Sequence, residues 1–177
     1  MERDEWQKFC EKISELGKYL EDEGMPLAYH HHMGTVIETQ KDTERLIENT
    51  HESVKLTLDT GHMLFAKGDS KYILQNYHER ILHVHCKDIR KQVLEKSLKE
   101  DLSFRGAFLE GAFTVPGDGC IDYQPLFNVL KNNNYSGWLV VEAEQDPAKA
   151  NPLEYAKIGY KYLTDTLKKS EIEIYKN

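Results

Sequence analysis

Imidazole and carboxylate side chains recur in this 177-residue sequence directly after short apolar runs that resemble β-strands. One run ends in PLAYHHHMGT, and the later ones end in DTGH, HVHCKD and VEAE. Mixed nitrogen and oxygen donors without thiolate suit Mn²⁺, Co²⁺, Fe²⁺ or Zn²⁺ better than Ca²⁺ or Mg²⁺. The residue types therefore predict a site for a divalent transition ion. The candidates are His30, His31, His32, Asp59, His62, His83, His85, Lys87, Asp88, Glu142 and Glu144.

Strand geometry restricts which of these side chains can share a site. Successive side chains on a strand point to opposite faces, so His30 and His32 share a face that excludes His31. The same parity groups Glu142 with Glu144. We therefore expect His30 or His32 to be a ligand and His31 to be a spectator. A single strand histidine is more often a core or surface residue, but polar ends on four strands favour a metal site.

Other interpretations apply to several of the same positions. Asp59 could belong to simple turn chemistry, although a buried strand that ends in a carboxylate needs a partner for the charge. Glu144 could lie on a solvated rim, and Lys87 could pair with Asp88. Cys86 is expected to face the helical layer as a packed residue.

The periodicity of the chain predicts the elements that position these residues. Apolar residues at spacings of three and four predict a first helix that Gly24 ends, and Asp69 and Asp122 are expected to cap later helices. Strands and helices alternate, which predicts an α/β fold with a parallel sheet of four strand-helix units. Ligands of such sheets bind beyond the carboxyl ends of the strands. The predicted helices cover about 4–23, 42–49, 70–77, 122–130 and 155–167, and the strands begin at 27, 55, 81 and 138.

Residues 91–120 interrupt this alternation. Their first part is polar and helical in character, and TVPGDGC at the end is rich in turn residues. We expect residues 1–177 to form a single domain in which 91–120 are an inserted loop over the site.

Composition narrows the classes of partner. The net charge is −7 and the pI is about 5.6, which argues against nucleic acid and favours a neutral small molecule. The charged N-terminus and the lack of a long apolar run predict a cytoplasmic protein without membrane segments. Three cysteines without paired spacing predict packed, reduced thiols rather than disulfides or a thiolate zinc site.

The strings DTGH, HVH-x-KD, PG-x-G-x-ID and VE, in this order, resemble the xylose-isomerase-like TIM-barrel superfamily. Within it, YHHHMGT, FTVPGDGCIDY and GWLVVEAEQDPAKA resemble the inosose dehydratases. The resemblance runs from Pro26 to the closing helix. It implies the C-terminal half of a (β/α)₈ barrel, whose complete form takes about 250 residues.

The resemblance also implies a function and a set of site residues. The implied activity is that of a hydro-lyase, which dehydrates 2-keto-myo-inositol to a trihydroxycyclohexane-1,2-dione in inositol catabolism. The implied cofactor is a divalent transition metal, with Mn²⁺ or Co²⁺ favoured and Zn²⁺ as an option. The implied metal ligands are His30, Asp59, His85 and Glu142, and His62 and Arg90 stand where relatives hold substrate oxygens. For catalysis we expect Glu142 to act as the base and His62 or Lys87 to protonate the departing hydroxyl, with His32 as a further substrate-binding residue.

Three alternatives remain at the level of sequence. A ketose isomerase or epimerase would use the same metal site but needs two facing bases, and His30 stands where relatives usually carry glutamate. A non-catalytic metal- or sugar-binding half-barrel is the second. The third is a DNA-repair phosphodiesterase, and the net charge of −7 argues against it because such an enzyme binds a polyanion. The expected partners are a small polyol or keto-sugar and, because a half-barrel leaves strand edges unpaired, a second copy of the chain or an N-terminal half-barrel.

Overall fold

The computed structural model describes residues 2–175, and the chain divides into two compact units, Met1–Val84 and His85–Asn177. One strand, β3, begins in the first unit and ends in the second. The α-helices are α1 (Arg3–Asp22), α2 (Gln40–Asn49), α3 (Thr60–Phe65), α4 (Ser70–Asn76), α5 (Lys91–Lys99), α6 (Phe104–Leu109), α7 (Tyr123–Asn132) and α8 (Pro152–Lys169), with a 3₁₀ turn at His78–Arg80. The strands are β1 (Ala28–His30), β2 (Lys55–Asp59), β3 (Ile81–Cys86), β4 (Asp88–Ile89), β5 (Phe113–Thr114) and β6 (Trp138–Val141).

Helix α1 follows from its apolar spacing and from signals at both ends. A capping box between Glu2 and Glu5 begins it, and Gly24 follows it with a φ of 76°, a backbone conformation that favours glycine. Its buried face contributes Trp6 and Cys10 to the core of the first unit, together with Ile37 and Leu46. The predicted helix and its end at Gly24 are confirmed.

The first unit orders its strands β1-β2-β3, and β1 lies parallel to β2 with Ala28 opposite Lys55 and His30 opposite Thr57. Strand β1 is shorter than the predicted 27–32. It ends at His30 because the chain turns immediately afterwards, where the His32 N–H donates to the Ile37 carbonyl at 3.0 Å.

In the second unit, β6 lies beside the end of β3, since the Glu142 N–H donates to the Cys86 carbonyl at 3.3 Å. Asp122 caps α7 by accepting a hydrogen bond from the Gln124 N–H, as predicted. The alternation of strands and helices and the parallel pairing agree with the predicted α/β class.

Residues 91–120 contain more regular structure than the predicted loop. They hold α5, α6 and β5, and β5 pairs with β4 in an antiparallel ladder that sets Asp88 opposite Thr114. Ser103 caps α6 by accepting a hydrogen bond from the Gly106 N–H. That this segment covers the site remains a prediction.

The three cysteines are free thiols, as predicted, but only Cys10 and Cys86 are buried. Cys120 is exposed, so the expectation of a packed thiol was wrong there; it lies in the turn that follows β5. Across residues 2–175, no helix combines the length and apolar character needed to cross a bilayer.

Candidate metal and proton-transfer site

Asp59 lies where β2 passes directly into α3, and its buried carboxylate has two separate roles. Oδ1 accepts a hydrogen bond from the His62 N–H at 2.8 Å and so caps α3. Oδ2 lies 3.4 Å from Nε2 of His30. The helix cap thus uses one oxygen and leaves the other facing the imidazole.

The spacing between His30 and Asp59 suits two ligands of one ion. At 3.4 Å, the N···O distance exceeds the usual 2.7–3.2 Å of a hydrogen bond. Two donors that each bind an ion at about 2.1 Å are separated by about 3.0–3.4 Å at octahedral or tetrahedral angles. The imidazole and carboxylate of the first unit therefore fit half of a divalent-ion site.

His31 directly follows β1 and is buried. It is more than a spectator, because its Nε2 accepts a hydrogen bond from the Asp59 N–H at 3.1 Å. Burial lowers the pKa of His31 to about 3, since the charged imidazolium cannot be solvated there. His31 is therefore neutral at physiological pH.

This depressed pKa predicts a loss of stability in mild acid. A histidine with a pKa of 6.5 unfolded and about 3 folded favours the unfolded state as the pH falls below 6.5. Between pH 7 and pH 5 the loss amounts to about 2 kcal/mol. Urea unfolding of the wild type and of His31→Gln at both pH values isolates this contribution. Equal pH dependence in the two proteins would contradict it.

His32 and His62 lie together in the first unit, with ring centroids 3.7 Å apart. Nδ1 of His32 lies 2.7 Å from the Met33 carbonyl, which makes Nδ1 the donor of that ring and leaves Nε2 as its basic nitrogen. His62 is buried and lies in the first turn of α3, where its N–H donates to Asp59 Oδ1. Both were predicted as substrate-binding residues, and these roles remain predictions.

The second unit contains a similar pair of donors. Nδ1 of His85, at the end of β3, lies 3.4 Å from Oε2 of Glu142, which follows β6. This distance again matches two ligands of one ion better than a hydrogen bond. Each unit thus contains one imidazole-carboxylate pair with a spacing that suits two ligands of an ion.

Lys87 is the most unusual side chain of the second unit, because it is fully buried. Its Nζ lies 3.0 Å from Oε2 of Glu142 and donates a hydrogen bond to Oε2 of Glu144 at 2.8 Å. The ammonium also lies 5.5 Å from the centre of the Phe113 ring. Two carboxylates compensate the buried charge, and the three groups bring proton donors and acceptors together.

Asp88 does not pair with Lys87, so that interpretation was wrong. Its buried Oδ1 accepts backbone N–H groups of Ile89, Cys120 and Ile121 at 2.7, 2.9 and 2.9 Å. Burial raises the pKa of Asp88, and the backbone donors oppose that rise. A Cβ on Gly119 would lie 2.2 Å from Oδ1, so the turn can approach the carboxylate only because residue 119 is glycine. Asp88 therefore anchors the turn that carries the PGDG residues.

Arg90 lies between β4 and α5 and contacts the same turn through Asp118. Its guanidinium donates hydrogen bonds to the Gly111 carbonyl at 2.8 Å, to Thr114 Oγ1 at 3.1 Å and to Asp118 Oδ2 at 2.6 Å. About a third of the side chain is exposed. The structure thus gives Arg90 a role in ordering the turn, and its predicted contact with substrate oxygens remains a prediction.

Three residues that form hydrogen bonds with Arg90 or Lys87 were not predicted from the sequence. Thr114 and Asp118 hold Arg90, and the Tyr123 hydroxyl donates a hydrogen bond to the Lys87 carbonyl at 3.0 Å. Asp118 had a signal, since it lies in PGDG, but aspartate in a turn is ordinary. Tyr123 gave no signal, because it reads as an apolar residue of α7.

Comparison with protein families identifies the fold. Residues 2–166 match the family described as xylose isomerase-like TIM barrel. The chain belongs to this family. The match covers both units and all four of the residues named above as metal-ligand candidates, so the xylose isomerase-like resemblance drawn from the sequence is confirmed.

Within the xylose isomerase-like family, the chain is similar to inosose dehydratases. It is 50% identical over 163 residues to the inosose dehydratase of Clostridium beijerinckii, covering 92% of this chain and 55% of the relative. It is 48% identical over 164 residues to that of Halalkalibacterium halodurans, covering 92% and 54%. The chain therefore spans about half the length of the relatives it matches.

Solved structures support the same fold. The IOLI protein, solved with a bound zinc atom, has a TM-score of 0.66 and 21% identity, covering 89% of this chain and 54% of its own. An L-ribulose 3-epimerase has a TM-score of 0.66 and 17% identity, covering 97% and 57%. At such low identity these similarities establish the barrel fold alone.

Proposed function

We propose that this protein takes part in the metal-dependent dehydration of 2-keto-myo-inositol to a trihydroxycyclohexane-1,2-dione. The observation that carries the proposal is the buried Lys87 between Glu142 and Glu144. Elimination of water needs a base for one proton and an acid for the leaving hydroxyl, and this cluster contains both. Similarity to the inosose dehydratases supports the choice of substrate.

We propose His30, Asp59, His85 and Glu142 as the residues that hold the ion. The two imidazole-carboxylate distances of 3.4 Å, one in each unit, support this set. Mn²⁺ or Co²⁺ is favoured and Zn²⁺ is an option, because the donors are nitrogen and oxygen. A bound divalent ion would polarise the ketone oxygen of the substrate and make its α-proton more acidic.

The protein's own groups would then move two protons. A carboxylate oxygen of Glu142 accepts the α-proton, and the electrons of that C–H bond form the carbon-carbon double bond. The C–O bond to the β-hydroxyl breaks, and Lys87 donates the proton with which the hydroxyl leaves as water. The double bond carries the α-hydroxyl as an enol, which tautomerises to the second ketone of the dione. Glu144, hydrogen-bonded to Lys87, keeps the amine oriented. His62 is a second candidate for the acid, and His32, His62 and Arg90 are proposed to hold substrate oxygens.

A direct assay tests this function. Protein loaded with Mn²⁺ or Co²⁺ is incubated with 2-keto-myo-inositol, and loss of one water is followed by mass spectrometry. We expect activity to fall by about 10²–10⁴-fold in Lys87→Met, in line with the usual contribution of a general acid. Lys96→Met is the matched control, because Lys96 forms an exposed ion pair with Glu110 at 2.8 Å. Full activity in Lys87→Met would refute the assigned role.

We also propose that the chain associates with a second copy of itself or with an N-terminal half-barrel. In the first unit β1 stands at the end of the strand order, and in the second Trp138 of β6 is 66% exposed. Unpaired strand edges and exposed apolar residues favour association. Light scattering after size-exclusion chromatography is expected to give a mass above the 20.6 kDa of one chain. A cooperative melt at single-chain mass would contradict this proposal.

A further inference from the structure

The hydrogen bond between His31 and Asp59 continues the pairing of β1 with β2 in an unusual way. At the start of β2, the Lys55 N–H donates to the Leu27 carbonyl at 2.9 Å. The Asp59 N–H is joined to His31 with the same offset of 28 residues, but its acceptor is Nε2 of the imidazole at 3.1 Å. The ring therefore takes the place that a backbone carbonyl would occupy in a regular ladder.

This replacement allows β1 to end while β2 is still held. After His30 the backbone leaves the ladder, and the His32 N–H turns to the Ile37 carbonyl. Without another acceptor, the N–H of the buried Asp59 would lose its partner at the residue where β2 becomes α3. An unpaired buried N–H costs about 1–3 kcal/mol.

We infer that His31 is a positioning residue for Asp59: its Nε2 holds the Asp59 backbone so that Oδ2 is directed at Nε2 of His30. Oδ1 is already committed to the His62 N–H, so the backbone and one oxygen are both fixed. The remaining oxygen lies 3.4 Å from His30. The consequence for ion binding rests on the proposed metal site, whereas the hydrogen bond itself does not.

The hydrogen bond from the Asp59 N–H also determines the tautomer of His31. A ring nitrogen that accepts a hydrogen bond carries no proton, so in neutral His31 the proton lies on Nδ1. The long side chain of His31 is needed because Nε2, rather than Nδ1, reaches Asp59. Glutamine can place an oxygen near the position of Nε2, whereas asparagine is one methylene shorter and reaches only as far as Nδ1.

Two variants of similar polarity therefore test the inference. We expect His31→Gln to retain slow hydrogen exchange at the Asp59 amide and His31→Asn to lose it, in metal-free protein that melts cooperatively. In the wild type, ¹⁵N NMR should show a scalar coupling between His31 Nε2 and the Asp59 nitrogen. Calorimetry with Mn²⁺ should give an affinity within about 3-fold of wild type for His31→Gln and at least about 10-fold weaker for His31→Asn.

The outcomes separate this inference from the proposed function. Absence of the coupling, or equal exchange at Asp59 in the two variants, would overturn the positioning role and show that His31 only fills space. A wild-type protein that shows the coupling but binds no ion would refute the metal site and support the placement of Asp59 by His31. If His31→Asn does not fold, two measurements still decide. They are the scalar coupling in the wild type and the slow hydrogen exchange of the Asp59 amide in His31→Gln.

Discussion

Asp59→Asn is expected to weaken the binding of Mn²⁺ or Co²⁺ by at least about 100-fold while α3 stays intact. Loss of an outer partner of a metal ligand alone costs about 10–100-fold, and this change removes the charge of a ligand itself. Asparagine still offers one oxygen to the His62 N–H, and it is as good a helix cap as aspartate. The fold is therefore preserved while the oxygen that faces His30 is replaced by an amide group.

Isothermal titration calorimetry measures this loss, and circular dichroism checks the helices. Asp69→Asn is the matched control, because Asp69 also caps a helix, accepting hydrogen bonds from the N–H groups of Lys71 and Tyr72. It lies exposed at the start of α4, and we expect wild-type affinity from it. Unchanged affinity in Asp59→Asn, or an equal loss in Asp69→Asn, would exclude Asp59 as a ligand.

Asp88→Ala is expected to lower the free energy of unfolding by at least about 2 kcal/mol. The substitution leaves the N–H groups of Ile89 and Ile121 without their acceptor, whereas the N–H of the exposed Cys120 keeps the Ile89 carbonyl at 2.9 Å. Each buried donor that loses its partner costs about 1–3 kcal/mol. The turn between β5 and α7 should then loosen.

Urea denaturation monitored by tryptophan fluorescence or circular dichroism gives this free energy. Asp88→Asn should lose about half as much, because its amide oxygen can still accept from the three N–H groups. Asp122→Ala, which removes an ordinary helix cap, should cost only about 1 kcal/mol. If Asp88→Ala were no worse than Asp122→Ala, Asp88 would not anchor the turn.

Much of the fold could be predicted from the sequence because its signals are local. Asp69 and Asp122 each stand directly before a helical pattern, where aspartate is a common cap, and both cap the helix that follows. Gly24 ends α1 with a positive φ. The length of β1 could not be predicted in this way. Its end at His30 depends on a turn closed by Ile37, and no periodicity in LAYHHH marks that point.

The candidate site, too, has features that local sequence signals predict and others that depend on contacts between distant residues. Strand parity predicted that His31 faces away from His30, and in the structure His31 directly follows β1 and is buried. The partners of Lys87 and Asp88 could not be predicted, because they lie far along the chain. Glu144 is 57 residues from Lys87, and Ile121 is 33 residues from Asp88. Such contacts depend on which strands and turns become neighbours, and a single sequence does not carry that information.

The close approach of Gly119 to Asp88 also constrains how this sequence can change over generations. A side chain at 119 would overlap the carboxylate oxygen, with only 2.2 Å between Cβ and Oδ1. The Cβ would also lie 2.7 Å from the backbone carbonyl oxygen of Ile89, so giving up the carboxylate at 88 does not by itself make room for a side chain at 119. In a library randomised at both positions, functional survivors that carry the aspartate should therefore also carry the glycine, whereas the glycine should persist beside other residues at 88.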